Sequence, residues 1–174
     1  FNIEYNSFYR TSNPKHYERV SKFWTDCFNR GLIYSKKYTG TYCVGCESFK
    51  VEKDLINNKC PDHSTTPLQT IEEENYFFKL SEFKSDLLFW VDNGANLVPK
   101  HKLNELRNII IEGEDISISR KKESVPWGIP VPNDDSQVIY VWFEALCNYF
   151  IEAGYYEDDV LFTQQWANSI QIFG

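Results

Sequence analysis

The sequence has no methionine among its 174 residues and only three histidines. A chain without Met carries no initiator. It begins at Phe1 in mid-pattern and stops at the apolar run Ile170-Gln171-Ile172-Phe173-Gly174, so it is expected to be a fragment of a longer protein. It also lacks an apolar stretch long enough to span a bilayer, which needs about 20 residues, and no signal peptide opens it. Basic excess is missing too, since the formal net charge is −7. A firm grip on a phosphate backbone relies on clustered Lys and Arg. Here only Lys36-Lys37 and Arg120-Lys121-Lys122 cluster, and each reads by default as solvated surface. Repeats and low-complexity tracts are absent. These absences disfavour a membrane protein and a strong nucleic-acid binder.

What is present supports a globular domain. Hydrophobic residues make up 42% of the chain and aromatics 17%, enough for one sizeable core. The length suits one domain, or one domain interrupted by a small insertion. Five cysteines are an odd number. Cys27 and Cys147 stand alone in apolar contexts and read as small buried hydrophobes. The other three form a pattern. Cys43-Val-Gly-Cys46 and Cys60-Pro-Asp-His63 are two half-sites, C-x2-C and C-x2-H, separated by a loop. Each tight turn presents two ligands to one side of a tetrahedral zinc ion. The spacing predicts a structural metal site at Cys43, Cys46, Cys60 and His63. A disulfide with a stray thiol is the alternative. It needs an oxidising compartment and leaves His63 unexplained, so a reduced, cytoplasmic setting fits better.

Along the chain, Tyr17, Val20, Phe23, Trp24 and Phe28 recur at helical spacing. Asn13-Pro14 suits the start of that helix and Gly31 its end. Leu32 to Tyr42 reads as a strand broken at Gly40. Glu72 to Asn75 reads as a polar lead-in to a strand at Tyr76-Phe77-Phe78. Ser81 is expected to cap a helix over 83–93, and Pro99 to open another over 100–112. Ile116 and Ile118 suggest a strand. The run Pro126 to Pro132 holds three prolines and excludes regular helix. Asn133 to Ser136 reads as a turn, Gln137 to Trp142 as a buried parallel strand, and 143–153 as a helix ending at Gly154.

Trp142, Ala145, Leu146 and Tyr149 stand at i, i+3, i+4 and i+7, so one helix face carries them. The face follows a buried strand, where α/β sheets bind ligands. Plain core is the competing reading of such a face.

Several motifs come in a fixed order: Tyr42-Cys43-Val44-Gly45-Cys46-Glu47-Ser48-Phe49, Cys60-Pro61-Asp62-His63, Glu74-Asn75-Tyr76-Phe77-Phe78, Ile118-Ser119-Arg120, Trp127 to Pro132, and Tyr140-Val141-Trp142-Phe143-Glu144-Ala145-Leu146-Cys147-Asn148-Tyr149. The set resembles the methionyl-tRNA synthetases of the bacterial type with a single zinc knuckle, over nearly the whole chain. The resemblance implies an α/β fold: part of a class I Rossmann-type catalytic domain interrupted by a zinc-binding connective-peptide insertion. Residues 1–30 would end the first half of the catalytic domain. Residues 31–117 would be the insertion, with its knuckle at 43–63, and 118–174 would begin the second half.

The resemblance also implies function. Such enzymes activate methionine with ATP and magnesium and transfer it to tRNA(Met). Trp142, Ala145, Leu146 and Tyr149 would line the methionine side-chain pocket, and Arg120 would lie near the substrate carboxyl. The family usually has Asp where Glu144 stands, and often Pro where Leu146 stands. The His-Ile-Gly-His and Lys-Met-Ser-Lys-Ser signatures of class I synthetases are absent from this sequence. No catalytic residue is therefore assigned within the chain, and the piece alone is expected to be inactive and a poor tRNA binder. Two other readings are another class I synthetase and a zinc-ribbon interaction module. The short insertion disfavours the first. The acidic surround of the knuckle, Glu47, Glu52, Asp54 and Asp62, disfavours a nucleic-acid-binding ribbon.

Overall fold

A computed structural model describes residues 4–46 and 48–172. Phe1, Glu47 of the acidic surround and the terminal Phe173-Gly174 lie outside the described residues. The chain divides into two compact units, Ser35–Tyr76 and the combination of Phe1–Tyr34 with Phe77–Gly174. In chain order the elements are α1 (Pro14–Asn29), β1 (Ile33–Cys43), β2 (Ser48–Lys50), β3 (Gln69–Phe78), α2 (Lys84–Asn93), α3 (Lys102–Glu112), β4 (Ile116–Ser117), β5 (Ser119–Lys121), β6 (Pro130–Val131), β7 (Asp134–Ile139), α4 (Val141–Glu152) and α5 (Asp159–Ala167). This is the mixed helix-and-sheet architecture expected.

In the larger unit, the Asn13 side chain caps α1 by accepting from the Lys15 amide at 3.0 Å. Pro14 presets φ in the first turn. Gly31 ends the helix at φ +73°, a left-handed conformation that favours glycine. The buried stripe is His16, Val20, Trp24 and Cys27. Tyr17 and Phe28, expected on that stripe, are exposed. The face is thus rotated toward α4, whose Phe143 stacks on Phe23 at 5.8 Å and meets Trp24 edge-on at 5.7 Å. Phe150 closes on Phe23 at 4.9 Å. Such ring pairs contribute about 0.5–1.5 kcal/mol each beyond their buried area.

The strand at Gln137–Ile139 is buried as expected, but it is not parallel. It belongs to β7, which pairs antiparallel with both β5 and β6. The reason is local. Val131 pairs with Asp134, so only Pro132 and Asn133 form the loop, and Asn133 takes φ +66°. A two-residue hairpin joins only antiparallel strands. Asp134 to Ser136 therefore lie in the strand rather than in a turn, and Val141 and Trp142 lie in the first turn of α4. Gly128 is required beside this sheet, because a Cβ there would sit 2.7 Å from that of Val138.

Ser81 does not cap α2. It lies in a 3-10 turn at Leu80–Phe83. Its hydroxyl and amide both donate to one Asp115 oxygen, at 2.6 and 3.1 Å, and the Tyr34 hydroxyl donates to the other at 2.9 Å. Burial works against the Asp115 carboxylate. The Ser81 and Tyr34 bonds outweigh it and hold the group below the ordinary aspartate range. Ile116 and Ile118 do not share a strand either: β4 pairs with the end of β3, while β5 pairs with β7.

The smaller unit is built on hairpins. β1 runs unbroken through Gly40, and the polar lead-in at Glu72–Asn75 is part of β3. β1 pairs antiparallel with β2, with Tyr42 opposite Phe49 and Cys43 opposite Ser48.

Candidate functional site

The knuckle residues converge. Cys43 ends β1, and Cys46 closes the turn before β2. The second half-site is set by a tight reversal at Ile56–Lys59. Asn57 and Asn58 both take positive φ, and Ile56 and Lys59 exchange backbone hydrogen bonds of 2.9 and 3.0 Å. Asn is among the few residues that tolerate two left-handed positions in succession. Cys60 follows at once. The ligand atoms of Cys43, Cys46, Cys60 and His63 all lie within 4.8 Å of one another. Cys46 Sγ is 3.5 Å from Cys60 Sγ and 3.2 Å from His63 Nδ1.

This donor set fits a metal. Tetrahedral zinc at about 2.3 Å from each sulfur places its ligands a little under 4 Å apart. All five cysteines are free, and His63, which a disulfide would leave unexplained, joins three of them in one cluster. Cys43 and Cys60 are fully buried. Burial opposes ionisation of Cys60, but hydrogen bonds from Cys46, the His63 amide and Cys43 bring it down to about 6. Cys46 moves the other way, pushed up to about 11 by desolvation and by its bonds with Cys60 and Cys43. Thiolates this close repel one another, and a dication relieves that. Lys50 places its ammonium on Cys46, a contact absent from the sequence reading. Gly45 is needed, though not for its φ. A Cβ there would meet the His63 ring at 2.5 Å, so glycine leaves room for the imidazole. Four protein donors close the shell, so the Cys3His group is compatible with a structural zinc.

The second set of residues lies on α4, in the larger unit. Trp142 is 64% exposed, Leu146 50% and Tyr149 39%. Ala145 is half-buried between them. Within this chain the core face of α4 is Phe143, Cys147, Phe150 and Ile151, and the four residues lie beside it. Tyr149 borders an open cleft of ≈ 290 Å³ with Asn148, Gln165 and Trp166. Arg120 stands at the N-terminal end of α4. Its guanidinium lies 4.0 Å over the ring of Tyr140, the residue before the helix, and donates to the Ser119 carbonyl at 2.7 Å and to Ser117 Oγ at 3.0 Å. A guanidinium stacked in this way keeps its charge and a fixed plane. The sequence reads Tyr140 only as a strand residue; its stacking on Arg120 joins β5 to the end of β7 and leaves no periodic trace in the sequence.

Cys27 and Cys147 are buried thiols, pushed up to about 11 and about 12 by desolvation. They are core residues, as expected. Among the described residues, no helix is long and apolar enough to cross a membrane.

Known proteins are similar to this chain in sequence and fold. The family model for tRNA synthetases class I (M) matches residues 1–67 and 50–173. A methionine--tRNA ligase of Streptomyces coelicolor is 38% identical over 99% of this chain and 33% of its own length. The chloroplastic/mitochondrial methionine--tRNA ligase of Arabidopsis thaliana is 46% identical over 84% of the chain and 24% of its own length. The structure of Mycobacterium tuberculosis methionyl-tRNA synthetase in complex with methionyl-adenylate superposes with a TM-score of 0.78 at 35% identity. That match covers 95% of this chain and 33% of the other. The chain thus spans about a third or less of the length of these relatives.

Proposed function

We propose, from the premise that this chain belongs to the family of class I tRNA synthetases (M), that it is the central part of a methionyl-tRNA synthetase. The whole enzyme activates methionine with ATP and magnesium and transfers it to tRNA(Met) in the cytoplasm. The observation that carries the reading is the aromatic face of α4, where Trp142 and Tyr149 are turned outward at helical spacing. Trp142, Ala145, Leu146 and Tyr149 take the methionine side chain. A thioether is polarizable and packs well against ring edges. Shape and S–aromatic contact then prefer methionine to leucine, within the roughly 1–3 kcal/mol that an apolar pocket commands. Arg120, held flat by Tyr140, faces the substrate carboxyl and offsets its charge.

Residues 1–30 and 118–174 belong on this reading to the two halves of the catalytic domain, with 31–117 inserted between them. Zinc at Cys43, Cys46, Cys60 and His63 stabilises the insertion. The groups that bind the ATP phosphates come from sequence signatures outside this chain. The test is kinetic. In the full-length protein, Tyr149→Ala or Trp142→Ala should raise KM for methionine about tenfold or more, with KM for ATP within about twofold. Equal losses toward both substrates would overturn the assignment.

A further inference from the structure

The α4 face is tied to α1 by one directional contact. Glu144 lies in the first turn of α4, two residues after Trp142 and next to Ala145. Its Oε2 is 2.7 Å from His16 Nε2. His16 sits on α1 with no exposed side-chain surface, and the Glu144 side chain is 14% exposed. The other imidazole nitrogen, Nδ1, is 3.1 Å from the Tyr9 hydroxyl. The Tyr9 ring meets the imidazole edge-on at 5.5 Å. Both ring nitrogens are therefore satisfied, which is what a buried imidazole requires.

Tyr9, His16 and Glu144 thus join three pieces of chain: the segment before α1, α1 itself and α4. The apolar contacts at the same junction, Phe143 against Phe23 and Trp24, are strong but not directional. Stacked rings tolerate a slide or a small rotation. A buried hydrogen bond between an imidazole and a carboxylate does not, because displacement strands both polar groups. Rotation about the α4 axis moves Trp142 and Tyr149 directly, since both project from the opposite side of the helix to Phe143 and Cys147. The carboxylate's reach matters as well, because the Glu144 side chain meets His16 at 2.7 Å.

We propose that His16, acting through Glu144, is the positioning residue that sets how α4 presents Trp142, Ala145 and Tyr149, and so tunes affinity for the amino-acid substrate rather than for the nucleotide. The proposal rests on the methionine reading of that face. Amino-acid-dependent exchange of pyrophosphate into ATP, run with the full-length protein, tests it. His16→Leu fills the space without hydrogen bonding, and His16→Gln keeps a donor on the buried side. Glu144→Asp shortens the reach with His16 intact. His16→Leu should raise KM for methionine about tenfold with KM for ATP within about twofold, and His16→Gln should recover most of the loss. Glu144→Asp should raise KM for methionine alone, by a smaller factor. Should His16→Leu fail to fold, the other two variants decide by the same split. Both KM values rising together, or thermal stability falling with KM for methionine unchanged, overturns the proposal in favour of a purely structural contact. A wild-type enzyme that exchanges only with a different amino acid would sink the methionine reading instead. The same split, read on that amino acid, would then decide the role of His16.

Discussion

The metal knuckle and the α4 face differ in what completes them. The knuckle takes all four donors from residues 43–63, and two of those donors are fully buried cysteines. Its geometry is set by short turns, and its donor set is compatible with one ion. The α4 face has the residue types of a binding surface, but Trp142 is 64% exposed among the described residues. Local turn chemistry can build a metal site within some twenty residues. A side-chain pocket needs walls from distant segments. On the proposed reading, one region depends on a metal and the other on the rest of a longer protein.

Removing the metal should sharpen this contrast most. Structural zinc sites carry binding free energies on the order of 10 kcal/mol, and that energy is folding energy. A chelator should therefore abolish amide-exchange protection across 35–76 and leave α1 and α4 protected. Loss of protection in both units at once would break the contrast. Thiol titration at pH 8 gives a second view. Cys27 and Cys147, raised to about 11 and about 12, stay protonated at that pH and should not react without denaturant. Cys43, Cys46 and Cys60 should react quickly only after chelation.

Smaller effects follow from single atoms. Gly45→Ala should lower metal affinity about 10- to 100-fold by displacing His63, as measured by competition with a chromogenic chelator. Its counterpart in the larger unit is Gly128→Ala, which overpacks against Val138. It should destabilise by about 1–3 kcal/mol with metal affinity unchanged. Ser81→Ala should cost about 1 kcal/mol at neutral pH. The Asp115 carboxyl is held below its unfolded value, so this contribution is present above the unfolded pKa and fades as pH falls through the folded one. Denaturation of wild type and variant should therefore converge in acid. Smallest of all, Trp142→Ala in the isolated chain should shift stability by no more than about 0.5 kcal/mol, because the residue is 64% exposed. A larger loss would return the face to the core reading.

The sequence disclosed features whose cause is local. The knuckle spacing, the Asn13-Pro14 start of α1 and its Gly31 stop all act within a few residues. So does the helical spacing of Trp142 and Tyr149, although which way that face points was not legible. Pairing direction was hidden as well. Gln137–Ile139 is as apolar as a parallel strand, and the antiparallel outcome comes from the Pro132-Asn133 hairpin, too short for a crossover. Ser81 has the right chemistry for a cap, but Asp115, 34 residues away, takes its hydroxyl. The tie between His16 and Glu144 spans 128 residues and left no periodic trace.

Exchange of pyrophosphate into ATP, measured with methionine for the full-length protein and for the 174-residue chain alone, is the most direct test of the methionine reading. Methionine-dependent exchange by the full-length protein and none by the isolated chain is the predicted result. Robust exchange by the isolated chain, or no methionine dependence in the full-length protein, would contradict it.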